Sequence, residues 1–304
     1  MVRDLLQNDE RFQFREAPLA TGQDLRRVHT EDYIQGFLAG TLERGVLRRI
    51  GFPWSEGLVK RTLASAGGTL AATRIALKSA KAADAHRQTT EELASSSGGA
   101  LDPAAVLRVF LRRGFAGTVA GGRRHAFRGE GAGFCVFNDL AIAAEWARQC
   151  AGLSRIAIVD LDVHQGDGTA SIFENDEGVF TLSLHGARNF PFRKQRSRLD
   201  IEFADGAQAE QYFPALSDAL EQVWRFQPEL MLFQSGVDGL ASDRLGRMSL
   251  TLADLALRDR LVFSAARQRA IPIAVTMGGG YSDPVEIAAQ AHAQTFRMAA
   301  AAFA

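Results

Sequence analysis

Short apolar runs recur through the later part of the chain, at residues 118–120, 156–159, 179–184, 230–233 and 271–277, and their length and β-branched content suit buried strands. Between them, apolar residues repeat at helical spacing over 140–150, 212–226 and 252–268. Strand and helix patterns alternating in this way predict one parallel sheet with helices on both faces. The first 80 residues read as mainly helical, over 34–47 and again over 54–77 after Pro53, with Gly67-Gly68 a weak point in the second helix. Residues 81–101 carry almost no large apolar side chains and are expected to form a mobile surface loop. Asp102-Pro103 then has the form of an N-cap followed by proline at the first helical position, predicting a helix through Val106, Phe110 and Leu111 that ends near Gly114. There is no internal repeat and no composition shift that marks a boundary, so residues 1–304 are expected to form a single domain.

Composition narrows the setting. The 304 residues include 35 basic and 35 acidic side chains and carry no formal net charge, so nothing global favours nucleic acid or a membrane surface. Arg193, Lys194, Arg196 and Arg198 make a local basic stretch that reads as a solvated loop, the alternative being a basic rim that favours acidic partners. Two cysteines, Cys135 and Cys150, make no disulfide framework. No apolar run approaches the length of a membrane span, and the start lacks a signal-peptide core. A soluble, cytoplasmic protein is expected.

The chemistry concentrates where the apolar runs end. The run at 156–159 leads into Asp160-Leu-Asp162-Val-His164-Gln-Gly166-Asp167-Gly168. At a spacing of two, Asp160, Asp162 and His164 leave an extended segment on one face. Three such groups at a buried strand end are costly unless something binds them. A divalent metal with Asp162 and His164 as ligands and Asp160 behind them meets that need; the plainer alternative is a solvated strand-to-loop junction. Gly121-Gly122-Arg123-Arg124-His125 places a histidine beside a backbone that a ligand can approach, as a general base or as a structural residue. Gln234-Ser235-Gly236-Val237-Asp238 ends in a carboxylate suited to be a third metal ligand, or a turn cap. Gly278-Gly279-Gly280-Tyr281 offers a phenol to an oxyanion, or is a tight turn with a packed ring. Ser183-Leu184-His185 presents backbone oxygens and a hydroxyl suited to a monovalent cation, or a structural histidine.

Taken jointly and in their order along the chain, and together with Gly133-Phe134-Cys135-Val-Phe-Asn138-Asp139 and Asp243-Arg-Leu-Gly246, these segments resemble the histone deacetylase family of the arginase/deacetylase superfamily, in particular its bacterial and class IV-like members. The resemblance runs from residue 14 to the end, interrupted after residue 80. It implies an α/β fold, a single three-layer α/β/α domain with a parallel, roughly eight-stranded sheet. It implies a metal held by Asp162, His164 and Asp238, with His125 as general base and acid oriented by Asp167, and Tyr281 donating to the oxyanion. Gly133, Phe134 and Phe190 would line the channel for an acylated lysine. Asp160, Asp162, His164, Ser183 and Leu184 match the family's structural potassium site. Zn²⁺ is the implied cofactor, and the oxygen-rich ligand set also suits Fe²⁺ or Co²⁺. The implied activity is zinc-dependent amide hydrolysis that removes acetyl or other acyl groups from lysine side chains or related amines. Its substrates would be acylated lysine proteins and peptides or acetylated polyamine-type molecules, with no direct nucleic-acid partner and no membrane.

Two departures qualify that expectation. The family carries a tandem histidine where this chain has Arg124-His125. Arg124 keeps the positive charge and can pair with Asp160, but it is bulkier and does not titrate at physiological pH. The alternative to an active enzyme is therefore a pseudo-deacetylase that binds metal and acyl-lysine-like ligands without turnover. Related chains also begin with a strand and a His-Arg-Phe-Pro segment; here the chain starts at what reads as the following helix, so the expectation is either a sequence that begins short of that segment or a sheet that lacks its first strand, with the floor of the pocket altered. A dinuclear arginase-type site would need a second carboxylate two residues after Asp238, and that position is Leu240. His29, His86 and His292 are expected to be structural or exposed, and Cys135 and Cys150 packed or free.

Overall fold

Successive side chains of β2 (Ile156–Asp160) leave opposite faces of the strand, and every one of them is buried. Ile156 and Ile158 face a core completed by α3 (Glu31–Leu38), α5 (Glu56–Ser97) and α6 (Asp139–Ala151), while Ala157 and Val159 face a second core completed by α8 (Ala209–Arg225), α9 (Leu252–Gln268) and α10 (Val285–Phe303). A strand apolar on both sides needs a helical layer on each. The computed structural model describes residues 1–97 and 114–303, and its strands form one sheet in the order β1-β6-β5-β2-β3-β4, every pair parallel. The remaining strands are β1 (Phe115–Thr118), β3 (Val179–Gly186), β4 (Leu199–Phe203), β5 (Leu230–Ser235) and β6 (Ile273–Met277). Short helices α1 (Val2–Leu6), α2 (Gly22–Leu25), α4 (Arg44–Ile50) and α7 (Asp167–Phe173) complete the elements. Among the described residues no helix is long and apolar enough to cross a membrane.

The topology fixes where a site can form. From β2 the chain proceeds outward through β3 and β4, then returns to lay β5 and β6 on the other side of β2. The carboxyl ends of β2 and β5 therefore flank the point where the winding reverses and the connections splay apart, which is where open α/β sheets bind ligands.

The α/β class holds, with several differences in detail, among them the division of the helix expected over 34–47 into α3 and α4 at residues 39–43. Six strands are present among the described residues rather than about eight, and none precedes β1. The strand β4 was not anticipated: it is a half-buried edge strand whose Leu-Asp-Ile-Glu-Phe alternation lacks a continuous apolar run. The loop expected over 81–101 is helical as far as Ser97, because its Ala, Gln and Glu residues favour helix even without a long apolar stripe; the rest of that loop and the helix expected from Asp102 lie outside the described residues. The helix also runs unbroken through Gly67-Gly68. A β-carbon on Gly67 would overlap the Pro18 carbonyl, so the glycine lets the segment before α2 lie against α5.

Two buried polar groups tie distant parts of this framework together. His29 accepts a hydrogen bond from the Asn138 N–H at 2.9 Å and lies among Tyr33 and Phe137, and burial pushes its pKa down to about 4. On α9, Arg258 donates to the carbonyls of Leu161 and Gly236, just past the ends of β2 and β5, and pairs with Asp259 at 2.7 Å. Thr295 of α10 donates to the other oxygen of Asp259 at 2.6 Å. A single guanidinium thus holds the two central strand ends at a fixed separation.

The unfolded chain binds a proton at His29 near pH 6.5, the folded chain only near pH 4, so acidification through that window favours unfolding. Between about pH 7.5 and about pH 5 this group should remove on the order of 2 kcal/mol of stability. Urea midpoints of the protein and of His29→Gln at both pH values check this: the variant should show the shallower dependence, and parallel curves would refute the assignment. Arg258→Leu should cost about 3–5 kcal/mol by leaving Asp259 buried and unpaired, and adding Asp259→Leu should recover much of that. A double variant no more stable than the single one in chemical denaturation would contradict the clamp.

Candidate active site

Beyond Asp160 the chain leaves β2 but stays pinned to the neighbouring strand ends. The Leu161 N–H donates to the Gln234 carbonyl at 3.1 Å, the Val163 N–H to Asp238 Oδ1 at 2.9 Å, and the Gly186 N–H to the Val163 carbonyl at 2.9 Å. These bonds fix residues 161–164 as the chain bends away from β2, and the bend brings the side chains of Asp162 and His164 together. His164 Nδ1 lies 3.1 Å from Asp162 Oδ1 and 3.0 Å from Asp238 Oδ2. One ligand atom from each of the three residues lies within 4.8 Å of the others. Asp238, 75 residues further on than Val163, arrives because β5 pairs with β2.

The Gly278–Gly280 segment closes the far side. The Gly279 N–H donates to Asp162 Oδ2 at 2.6 Å, and a β-carbon at Gly279 would collide with Asp238 Oδ2. Only glycine lets this backbone pass between the two carboxylates. Tyr281 follows it, anchored by its N–H to the buried Asp243 at 2.5 Å, with its ring on the cavity wall. Burial and the charges of Asp162 and Asp238 push the phenol pKa up, so it remains a proton donor.

On the opposite side, the connection from β1 to α6 delivers Arg124 and His125. Asn138 caps α6 by accepting from the Ala141 N–H at 3.0 Å, and its amide nitrogen donates to the carbonyls of Arg124 and Ala126 at 3.3 and 3.0 Å. Asp139 accepts from the N–H groups of Gly122 and Arg123 at 2.8 and 2.6 Å and from Thr69 at 2.7 Å. His125 Nδ1 is 2.7 Å from Asp167 Oδ1, at the start of α7. Burial and the neighbouring Arg124 charge lower the His125 pKa against the pull of Asp167, which makes the ring a neutral imidazole whose Nδ1–H donates to that carboxylate. Phe190 packs edge-on to His125 with centroids 5.1 Å apart.

Arg124 is 4% exposed. Its Nε lies 2.9 Å from Asp160 Oδ2, its Nη2 contacts Asp162 Oδ1, and Nη2 also donates to the His164 carbonyl at 3.3 Å. Burial works against the charge, but Asp162, Asp160 and Asp238 outweigh it and raise the guanidinium pKa. For Asp162, burial raises the pKa, yet Arg124 and His164 together hold the carboxyl well below its usual range. The pairing with Asp160 expected from the sequence is present, and the contact with Asp162 is an addition to it.

A cavity of about 560 Å³ opens onto this cluster, lined by His125, His164, Asp238 and Tyr281 together with Gly133, Phe134 and Phe190. Asp160 and Ser183 are register partners across β2 and β3, so the residues expected to hold a monovalent cation share one end of the sheet. Cys135 is buried, with its pKa pushed up to about 11, so its thiol is a packing group and not a rival nucleophile. The sequence reading names Asn138, Asp139 and Asp243 only as parts of segments that carry the family resemblance, without a role, and it passes over Arg258. Asn138 carries a local signal as well, as an N-cap type directly before an apolar helical pattern.

Comparison with known proteins agrees with the geometry. The profile of the histone deacetylase domain matches residues 1–298. An uncharacterised protein of Picosynechococcus sp. is 39% identical over 276 residues, spanning 90% of this chain and 81% of its own. The histone deacetylase-like amidohydrolase of Pseudomonas aeruginosa is 29% identical over 286 residues, spanning 90% of this chain and 67% of its own. The crystal structure of a histone deacetylase homologue from Aquifex aeolicus has the same fold, with a TM-score of 0.73 at 24% identity over 98% of this chain and 76% of that one. A domain match along nearly the whole length, on a sheet whose reversal point gathers the acidic and histidine residues, places the chain in the histone deacetylase family.

Proposed function

We propose that the protein is a metal-dependent amidohydrolase that removes acetyl or other acyl groups from amines such as the lysine side chain. The observation that carries this reading is the convergence of Asp162, His164 and Asp238 within 4.8 Å at a cavity whose walls also hold His125 and Tyr281.

The residues fit a divalent ion. Two carboxylates and one imidazole are a catalytic donor set that leaves positions free, and with neither carboxylate side chain exposed, burial of so much negative charge favours a cation. Zn²⁺ suits the set, Fe²⁺ and Co²⁺ also match its hard oxygens, and Asp160, Ser183 and Leu184 with the backbone of Asp162 and His164 are the candidate holders of K⁺. A divalent ion held there would supply Lewis-acid polarisation of an amide carbonyl and would lower the pKa of water to about 7.

The chain's own groups supply the rest. His125, held by Asp167, accepts the proton of the attacking water at Nε2 and returns it to the departing amine, which leaves neutral. Tyr281 donates its hydroxyl proton in a hydrogen bond to the substrate oxygen as negative charge develops there. Phe134 and Phe190 flank the stem of the acylated side chain and exclude water. Arg124 adds a permanent positive charge beside these groups.

One observation favours a second reading. The Arg124 guanidinium already engages Asp162, so it competes for a carboxylate that a metal would use, and a binding protein without turnover is the outcome if that competition prevails. Zinc-loaded protein assayed on acetylated and longer-chain acylated lysine peptides separates the two. Turnover is expected, reduced about a hundredfold or more in kcat by Tyr281→Phe. Silence of the protein together with activity of Arg124→His would establish the second reading, and silence of both at one bound metal equivalent would refute the first.

A further inference from the structure

We infer that the cavity selects acylated amines in an acidic setting, an acyl-lysine flanked by carboxylates; this rests on the proposed reading of the site as an acyl-amine hydrolase. Arg48 and Arg49 on α4, Arg123 between β1 and α6, Arg188 between β3 and β4, and Arg247 between β5 and α9 all line the one cavity. The single carboxylate residue among the lining residues is Asp238, whose two oxygens are already engaged by the Val163 N–H and by His164. In a chain with no formal net charge, five arginines delivered by four separate segments to one opening are a local concentration of charge.

The carboxylates nearby do not cancel it. Glu130 pairs with Arg49 at 2.8 Å, and Asp205 is shared between Arg247 at 3.0 Å and Arg188 at 3.7 Å. Both are exposed pairs of the kind that solvent weakens and an incoming ligand can exchange. Among the described residues no carboxylate lies within ion-pair distance of Arg48 or Arg123. Phe134 and Phe192 stand at the same opening, Phe192 being 91% exposed, and apolar walls there focus the positive potential along the path of entry. Guanidinium groups bind carboxylates through paired donors, so acidic side chains on either side of the acylated lysine would find partners on this rim. A segment rich in lysine and arginine would meet repulsion at the same place.

The test uses fluorescently labelled acetyl-lysine peptides identical except for Asp and Glu, neutral residues, or Lys and Arg at the flanking positions. Affinity for zinc-loaded protein is read by anisotropy, and turnover is read in parallel. The acidic peptide should bind about tenfold or more tightly than the basic one at about 50 mM salt, and the gap should narrow at about 500 mM. In an Arg48→Glu/Arg188→Glu double variant the ratio should collapse or invert. Equal affinities, a preference for the basic peptide, or binding of none of the three overturns the inference. Charge-selective binding without turnover of any peptide supports it while counting against the hydrolase reading.

Discussion

Carboxylates buried at the ends of β2 and β5 are the constraint on which the structure turns. Neither the Asp162 nor the Asp238 side chain is exposed, and an isolated ionised carboxylate in such a place is too costly to keep. The fold meets that cost with fixed donors. Backbone N–H groups of Val163, His164 and Gly279 and the guanidinium of Arg124 are aimed at these oxygens, while Arg258 keeps apart the two strand ends that carry them. Donors for these carboxylates come from three separate stretches of chain, around Arg124, Val163 and Gly279, so the site exists only when the sheet has brought them together. A metal ion at the same point would complete a compensation that the protein has begun with its own dipoles and charges.

Arg124 changes the character of that compensation. A histidine in its place would carry a charge that depends on pH and on what is bound nearby, whereas a buried arginine carries its charge always. Its three contacts, to Asp160, Asp162 and the His164 carbonyl, also make it a structural brace for the loop that follows β2. Electrostatics and architecture are therefore joined in one side chain, with His125 next to it in sequence and positioned separately by Asp167 and by the Asn138 amide beneath the loop.

The same economy of cations extends outward. Inside the cavity, Arg124 offsets only part of the charge of the buried carboxylates around it; at the opening, Arg48, Arg123, Arg188 and Arg247 exceed the carboxylates offered to them. The interior is left short of positive charge, and the rim holds more than it pairs.

Much of this was legible beforehand, for a physical reason. Asp160, Asp162 and His164 at the end of an apolar run mark a strand ending in a polar site, because ionisable groups are too costly to keep within a buried strand unless something at its end binds them. The alternating strand and helix patterns likewise determined the α/β class, since each two-sided strand demands a layer on both faces. The helix through 81–97 was misread because absence of large apolar residues speaks about burial and not about backbone conformation. Edge strand β4 was missed because half-exposed strands carry the weakest pattern. Only the tertiary structure decided that Arg124 reaches Asp162 as well as Asp160, that Arg258 links two strand ends, and that arginines from four segments share one opening. Those facts depend on strand order and on the paths of long connections, and a linear pattern holds no record of which distant residues the sheet will bring side by side.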